Sequence, residues 1–216
     1  MMSKYAFGVD VGGTTVKLGL FNDEGQVLDK WEIPTRTEND GEEILPDVAD
    51  SIREKMKQMD KDAIAGVGVG APGPIDAGGV VHRAVNLGWK TFNVKETLEA
   101  LINLPVRAGN DANVAALGEM WMGGGKGYKD LVVVTLGTGV GGGIIVDGRM
   151  ISGSTGAAGE IGHIHVDDTE TDVCNCGNKG CLEQFASATG ITRLANKKLA
   201  STDMDSVLRG GEVSAK

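Results

Sequence analysis

Two stretches of this chain share one pattern, in which a strand runs into a turn of glycine and threonine and a second strand follows. The first stretch is residues 7–21 and the second is residues 132–146. The chain holds 34 glycines, more than twice the usual share, and they cluster in short motifs at strand ends. Glycine at such a place lets the backbone come close to a ligand. The repeat therefore predicts two similar ligand-facing hairpins, one in each half of the chain.

The turns of both hairpins have the chemistry of a phosphate cradle. The first, residues 10–15, offers backbone N–H groups and threonine hydroxyls, and its Asp10 can hold Mg²⁺ through water. The second is predicted as one long turn over residues 137–143, and two such turns facing one another can clamp a polyphosphate. An ordinary P-loop is excluded, because no Gly-Lys-Ser/Thr follows the glycines. An ordinary glycine-rich hairpin remains the alternative for either turn taken alone.

Between the hairpins, one aspartate lies where a strand leads into a helix. The strand is predicted over Val106–Asn110 and the helix over Val114–Met122, with Asp111 between them. Open α/β sheets bind their ligands at such junctions. Asp111 is therefore either the N-cap of the helix or a general base within reach of a substrate hydroxyl.

The rest of the pattern predicts two α/β domains. A helix with apolar residues at spacings of three and four is predicted over Glu42–Met59, and a buried strand over Ile64–Ala71. The glycine-rich loop 123–127 marks the expected boundary. The first domain is then residues 1–122, and residues 123–216 are the first part of a larger C-terminal domain.

All three cysteines of the chain fall within eight residues, and a histidine lies eleven positions before the first of them. An odd, clustered cysteine count suits a reducing compartment and metal binding better than disulfides. Three thiolates and an imidazole can fill a tetrahedral zinc site. Glu160 and Glu183 bracket the group, so the metal is expected to hold polar side chains in place for a hydroxyl-rich substrate. The predicted ligands are His163, Cys174, Cys176 and Cys181.

Charge and hydropathy narrow the possible partners. The net charge is −9 and the isoelectric point is about 4.8, which argues against a nucleic-acid surface. No apolar run approaches the length of a membrane span, so no membrane partner is expected. The sequence enters its first strand almost at once, so neither a signal peptide nor a DNA-binding domain ahead of that strand is expected. These features predict a cytoplasmic protein that acts on a small molecule.

The combined motifs resemble the signature of the ROK family of sugar kinases and repressors. The resemblance covers the whole chain, and the set of motifs is far more specific than any one of them. The matching segments are Asp10-x-Gly-Gly-Thr14, Asn110-Asp111, Leu136-Gly-Thr-Gly-x-Gly-Gly143, Gly159-Glu-Ile-Gly-His163 and Cys174-x-Cys-Gly-x-x-Gly-Cys181-x-Glu183.

The resemblance implies an actin-like ATPase (ribonuclease H-like) fold, in which ATP and a sugar bind in the cleft between two α/β domains. It implies Asp111 as the base for the sugar 6-hydroxyl, and a structural zinc ion on the four ligands named above. It assigns the ATP phosphates to Asp10 (near Mg²⁺), Gly12, Gly13, Thr14, Gly137, Thr138 and Gly139. It assigns the sugar ring to Asn86, Asn110, Glu160, His163 and Glu183.

The implied activity is ATP-dependent phosphorylation of glucose. An N-acetylhexosamine or fructose kinase is the alternative within enzymes, because the same ring-binding residues serve several sugars. A sugar-sensing repressor is the alternative of another class, and the acidic charge argues against it. A sugar-binding module left by truncation is a third. The family is commonly dimeric, so the resemblance also implies a homodimer.

Two features depart from the family pattern, the loop before Cys174 and the end of the chain. The family usually has a glycine where this loop reads Thr171-Asp172-Val173, and the loop is one residue longer than is typical. His165, two positions after His163, is a rival zinc ligand, because the two would share a face of a strand. The chain also stops at Lys216, whereas family kinases continue into the segment that carries the adenosine-binding glycines. The fold is therefore expected to lack its C-terminal portion, and residues 1–216 alone are expected to have little or no kinase activity.

Overall fold

The structure is a computed structural model that describes residues 4–215. The first half of the chain consists mainly of strands and helices, and much of the region after residue 150 is irregular. The strands are β1 (Tyr5–Val11), β2 (Thr15–Asn22), β3 (Val27–Pro34), β4 (Ile64–Ala71), β5 (Val80–Val81), β6 (Phe92–Asn93), β7 (Val106–Asn110), β8 (Leu131–Leu136), β9 (Val140–Val146) and β10 (Arg149–Met150). The helices are α1 (Glu38–Gly41), α2 (Ile44–Met56), α3 (Val94–Ile102), α4 (Asp111–Met122), α5 (Glu183–Ala186) and α6 (Ala188–Ala200).

The larger sheet has five strands in the order β3-β2-β1-β4-β7. The first three are antiparallel neighbours, while β1, β4 and β7 run parallel to one another. Phe7, Val9 and Val11 of β1 are buried on one face, as the two-residue period of a strand requires. Because parallel strands end at the same edge of a sheet, the carboxyl ends of β1 and β7 bring Asp10 and Asn110 to one edge.

Helices α2 and α3 cover the apolar face of this sheet and complete its core. Helix α2 is amphipathic, as predicted, but shorter at both ends than the predicted Glu42–Met59. The preceding backbone is in the left-handed region at Asn39 and Asp40, so the regular helix starts only after that bend. At its other end, the Met59 N–H closes a turn on the Met56 carbonyl at 3.0 Å.

The second sheet has three strands in the order β10-β9-β8. The prediction of one turn over residues 137–143 is wrong, because Val140 to Gly143 belong to β9 and pair with β8. These glycines serve helix packing. A Cβ atom on Gly141 would lie 2.8 Å from the Ala112 Cβ, and one on Gly143 would lie 2.4 Å from the Ala116 Cβ. Only glycine lets β9 lie this close to α4.

Helix α4 begins at Asp111, three residues before its predicted start at Val114. Asn110 is the N-cap, because its Oδ1 accepts the Asn113 N–H at 3.2 Å. The alternative that Asp111 serves as the cap is therefore wrong, and its carboxylate is not needed for that purpose. The helix contacts both larger sheets, so the division into domains at residue 122 stays a prediction.

None of the described helices has both the length and the apolar character that crossing a membrane requires.

Candidate active site and metal centre

Asp111 lies where β7 passes into α4, with its neighbour Asn110 fixed on both sides. The Asn110 Nδ2 group donates to the Gly73 carbonyl at 3.1 Å, while its oxygen caps the helix. The Asp111 Oδ1 atom accepts the Ala112 N–H at 2.8 Å. The residue as a whole is exposed to solvent.

The surroundings of Asp111 raise the pKa of its carboxyl above the ordinary value. The largest cause is partial burial, because loss of hydration disfavours the charged form of the carboxyl group. The negative charge of Asp10 raises the pKa further, while the hydrogen bond from Ala112 lowers it. A carboxylate with a raised pKa is a stronger proton acceptor, which suits general-base catalysis.

The first glycine turn joins β1 and β2 and lies beside Asn86. Its Gly12 N–H donates to the Thr15 carbonyl at 3.1 Å. Thr35, which follows β3, donates its hydroxyl to the Gly12 carbonyl at 2.7 Å and its N–H to the Thr14 carbonyl at 2.9 Å. A Cβ atom on Gly13 would lie 3.7 Å from the Asn86 carbonyl oxygen. The turn and Asn86, far apart in the sequence, therefore meet in the structure.

The second glycine turn, residues 137–139, meets Glu183. The Glu183 Oε2 atom accepts the Val140 N–H at 2.9 Å. A Cβ atom on Gly139 would lie 2.2 Å from that oxygen, so the carboxylate fills the space that a side chain would need. The resemblance assigned Glu183 to the sugar ring, and in the structure one of its two oxygens is already bound to the turn.

A wall of polar side chains faces Asp111 from the loop after β10. Burial raises the pKa of Glu160, the nearby His163 imidazole lowers it, and the charges of Asp111 and Glu183 raise it. The loop reaches this position because Gly159 packs on β9, where its Cβ would lie 2.3 Å from the Gly142 carbonyl oxygen. Glu160 therefore lies close enough to Asp111, His163 and Glu183 for their charges to act on its carboxyl group.

The predicted zinc ligands come together in one cluster. One ligand atom from each of the four residues lies within 4.8 Å of all the others. The His163 Nδ1 is 3.7 Å from the Cys174 Sγ, and the sulfurs of Cys176 and Cys181 are 3.6 Å apart. Ligands of a tetrahedral zinc ion lie roughly 3.5–3.8 Å apart, given bonds of about 2.0–2.3 Å. The residues therefore fit a zinc ion, with Nδ1 as the coordinating atom and Nε2 left over.

His165 lies outside this cluster because both of its ring nitrogens have other partners. Its Nδ1 is 3.0 Å from the Lys179 carbonyl oxygen, and its Nε2 is 2.8 Å from Asp168 Oδ1. These contacts raise the pKa of His165, with the Asp168 hydrogen bond as the largest cause. The structure thus gives His165 a role in fastening the metal loop.

Four residues of the site escaped the sequence reasoning. Thr35 and Thr189 each hold one glycine turn by a hydroxyl group. Arg193 of α6 donates to the buried Glu170 at 2.7 Å and so fastens the metal loop to the helix. Ser187 is the N-cap of α6. It could have been found, because a serine before a helical pattern is an N-cap signal. The partners of the two threonines could not, because nothing local in the sequence marks them.

Comparisons with known proteins show which family the chain is similar to. A model of the ROK family matches residues 6–215. A glucokinase of Halalkalibacterium halodurans is 48% identical over 200 residues, which are 91% of this chain and 61% of that protein. The crystal structure of a ROK family glucokinase from Streptomyces griseus, in complex with glucose and AMPPNP, has a TM-score of 0.78 and 36% identity, over 92% of this chain and 62% of that one.

A further solved structure belongs to a ROK family transcriptional regulator, a homologue of the E. coli MLC protein. It has a TM-score of 0.87 and 27% identity, over 98% of this chain and 54% of that one. The chain spans about three fifths of the length of the glucokinases it matches. The matches confirm the predicted α/β fold of the actin-like ATPase type. Since the family model covers nearly every residue described, the chain belongs to the ROK family.

Proposed function

We propose that the protein, at the length of its relatives, is an ATP-dependent hexose kinase that phosphorylates the 6-hydroxyl of glucose. The observation that carries the proposal is the position of Asp111 at the end of β7, at the sheet edge that also holds Asp10, where its charge also acts on Glu160. For residues 1–216 alone, the expectation of little activity stands.

Asp111 is the proposed general base. Phosphoryl transfer needs little covalent help from the protein, and its main needs are in-line placement, charge neutralisation and a nearby proton acceptor. The Asp111 carboxylate accepts the proton of the sugar 6-hydroxyl as the hydroxyl oxygen attacks the γ-phosphorus. The bond from the γ-phosphorus to the bridging oxygen breaks, and ADP leaves. The raised pKa of Asp111 makes the proton transfer more favourable.

The two glycine turns are the proposed phosphate cradles. The Gly12 N–H is bound to the Thr15 carbonyl and the Gly137 N–H to the Gly139 carbonyl. The N–H groups of Gly13 and Thr14 therefore meet the phosphates from one side, and those of Thr138 and Gly139 from the other. Asp10, an exposed carboxylate at the same edge, has the ligand chemistry that Mg²⁺ prefers and would hold the ion through water. Mg²⁺ supplies charge neutralisation on the phosphates when bound.

Sugar selectivity is assigned to the polar wall. Glu160 and Glu183 accept hydrogen bonds from ring hydroxyls, and Asn86 can both donate and accept. Asn110, whose amide is bound to Gly73 and Asn113, keeps only part of its capacity for the sugar. A wrong epimer would leave such groups unpaired, at a cost of about 1–3 kcal/mol for each buried group.

The zinc ion would be structural and would aim His163. With three sulfurs and Nδ1 as ligands, no position is left open for a reactive water. Coordination through Nδ1 leaves Nε2 to donate to a sugar oxygen, which is how a metal orients a binding residue. A cytoplasmic location and a homodimer remain predictions, and an N-acetylhexosamine or fructose remains the alternative substrate.

The test combines binding and turnover. Protein expressed from its native gene, with the intact mass recorded, is titrated with a panel of hexoses by calorimetry and assayed for ADP release. We expect glucose to bind best. Asp111→Asn should preserve that binding and lower turnover by about 10²–10⁴-fold, the usual contribution of a general base. Binding of no hexose contradicts the proposal, and full turnover in Asp111→Asn contradicts the assignment of the base.

A further inference from the structure

The start of helix α6 holds the second glycine turn by two hydrogen bonds. The Ala188 N–H donates to the Gly137 carbonyl at 2.9 Å. The Thr189 hydroxyl donates to the Thr138 carbonyl at 2.7 Å. Helix α6 does not need this hydroxyl for its own cap, because Ser187 Oγ accepts the Gly190 N–H at 3.0 Å. The Thr189 Oγ1 atom also lies 3.0 Å from Ser187 Oγ, so this hydroxyl contacts both the turn and the cap of α6.

The peptide groups on either side of these carbonyls are also bound. The Gly137 N–H donates to the Gly139 carbonyl across the turn at 3.0 Å. The Val140 N–H donates to Glu183 Oε2 at 2.9 Å. Every peptide unit from residue 137 to residue 140 therefore has at least one polar group fixed by a hydrogen bond, and the turn has little freedom to rotate.

Two N–H groups of the turn have no hydrogen-bond partner within residues 4–215, those of Thr138 and Gly139. In a planar trans peptide, the C=O of one residue and the N–H of the next point in opposite directions. The Gly137 and Thr138 carbonyls both point at α6. The N–H groups of Thr138 and Gly139 must therefore both point away from α6. Adjacent N–H groups with a common direction form a nest that binds anions.

We infer that Thr189 is a positioning residue for nucleotide phosphate. By binding the Thr138 carbonyl, its hydroxyl aims the Gly139 N–H at the phosphate, and the Ala188 N–H does the same for the Thr138 N–H. The inference rests on the proposed function, in which the turn 137–139 meets ATP. Thr189 itself touches neither substrate. Its loss should weaken phosphate binding and leave the sugar site unchanged.

The test uses one helix and four proteins. Thr189→Val removes the hydroxyl and keeps the shape, and Thr189→Ser restores the hydroxyl. Thr192→Val is the matched control, because Thr192 lies on the same helix, is half-buried and has no hydrogen bond to the turn. Each variant and the wild type are titrated by calorimetry with Mg²⁺–AMPPNP and, separately, with glucose. Amide spectra of Thr138 and Gly139 are recorded with and without inorganic tripolyphosphate.

We expect Thr189→Val to weaken AMPPNP binding about three- to tenfold, the effect of one lost hydrogen bond. Glucose affinity should stay the same in all four proteins, and Thr189→Ser and Thr192→Val should bind AMPPNP like the wild type. Tripolyphosphate should shift the two amide signals less in Thr189→Val than in the wild type.

Three outcomes overturn the inference. Unchanged AMPPNP affinity in Thr189→Val removes its basis while leaving the kinase proposal intact. Equal weakening of glucose and AMPPNP identifies a general structural role for Thr189. A wild-type protein that binds glucose but neither AMPPNP nor tripolyphosphate contradicts the inference together with the ATP part of the proposed function.

Discussion

Both glycine turns are held in place by hydrogen bonds to their carbonyl groups, but the donors come from different parts of the fold. In each, a threonine from another element binds one carbonyl of the turn with its hydroxyl, Thr35 in the first turn and Thr189 in the second. A backbone N–H binds a further carbonyl in both cases. Thr35 directly follows β3, a neighbour in the same sheet, whereas Thr189 lies on α6, 51 residues after its partner.

This difference predicts how each turn depends on the rest of the molecule. The first turn inherits its shape from the ladder between β2 and β3, which pairs Thr15 with Pro34. The second depends on the α5–α6 junction and, through Glu183, on the metal loop. The first turn should therefore persist when the metal loop is disturbed, and the second should not.

Loss of the metal should produce the largest contrast between the turns. Cys176→Ser removes one of the four ligands, and we expect zinc affinity to fall by more than about 100-fold, because structural zinc sites are worth about 10–16 kcal/mol. Hydrogen exchange should rise over residues 137–139 and 159–183 and stay slow in β1 and β2. Metal analysis and exchange mass spectrometry measure both effects.

His165→Asn is the control for this prediction, since His165 lies in the same loop but outside the ligand cluster. It should keep about one equivalent of zinc. If hydrogen exchange rises equally at both turns in metal-free protein, both turns depend on the metal loop, and the prediction is wrong. Absence of metal from freshly reduced wild-type protein would remove the zinc site altogether.

Alanine should be costly in one turn and tolerated in the other. A Cβ atom on Gly12 would lie 2.8 Å from the Thr15 carbonyl oxygen, a backbone atom that cannot move aside easily. One on Gly137 would meet nothing within 4 Å. We expect Gly12→Ala to lower the free energy of unfolding by about 1–3 kcal/mol. Gly137→Ala should change it by less than about 0.5 kcal/mol. Urea unfolding curves with equal slopes would measure both, and equal losses would contradict the packing seen here.

The titration of Asp111 should respond to the first turn alone. Asp10 raises the pKa of Asp111, and Glu183 is not among the groups that affect it. We therefore expect Asp10→Asn to lower the pKa of Asp111 and Glu183→Gln to leave it unchanged. Carbon NMR of the carboxyl groups, recorded without nucleotide, measures this. A shift caused by Glu183→Gln would mean that the second turn lies nearer to Asp111 than the structure has it.

The same shift makes a prediction about stability. A raised pKa means that the folded protein holds the Asp111 proton more tightly than the unfolded chain does. Asp111 therefore lowers the free energy of unfolding as pH rises through the window from the unfolded pKa of about 3.8 to the folded pKa. Asp111→Asn should melt at a higher temperature than the wild type at pH 7, and at a similar temperature below pH about 3. Equal melting temperatures at both pH values would contradict the shift.

The smallest effect should come from the two threonines. Thr35→Val removes a part-buried hydrogen bond and should lower the free energy of unfolding by about 1 kcal/mol. Thr189→Val removes an exposed one and should cost less than about 0.5 kcal/mol. Serine at either position should restore the wild-type value. A larger loss in the free energy of unfolding for Thr189→Val than for Thr35→Val would contradict this prediction.

Much of the fold could be predicted from the sequence because the information is local. The alternation in β1 and the three-and-four spacing in α2 each follow from the geometry of a single element. The cysteine cluster was predicted for a similar reason, since its sulfurs lie within eight residues. The helix ends were less accurate, as the start of α4 shows, because capping by Asn110 depends on side-chain hydrogen bonds that the periodicity does not contain.

The glycines of the second motif mark the limit of that reasoning. The sequence predicted a long turn over residues 137–143, and a run of glycines does favour a turn. In the structure, Gly141 and Gly143 belong to a strand that lies against α4. The same residue type serves a tight turn or a close approach of two backbones, and only the neighbouring helix decides between them.

The sequence by itself determined the type of chemistry, namely two glycine turns, an aspartate at a strand end and a thiolate cluster. The tertiary structure alone decided how these parts are held. In it, Thr35 and Thr189 bind the turns and Glu183 accepts the Val140 N–H. His165 binds the Lys179 carbonyl and lies outside the sulfur cluster. The physical reason is that a hydrogen bond needs its partners within about 3 Å and in line. No local spacing brings residues 51 apart, such as Thr138 and Thr189, to that distance.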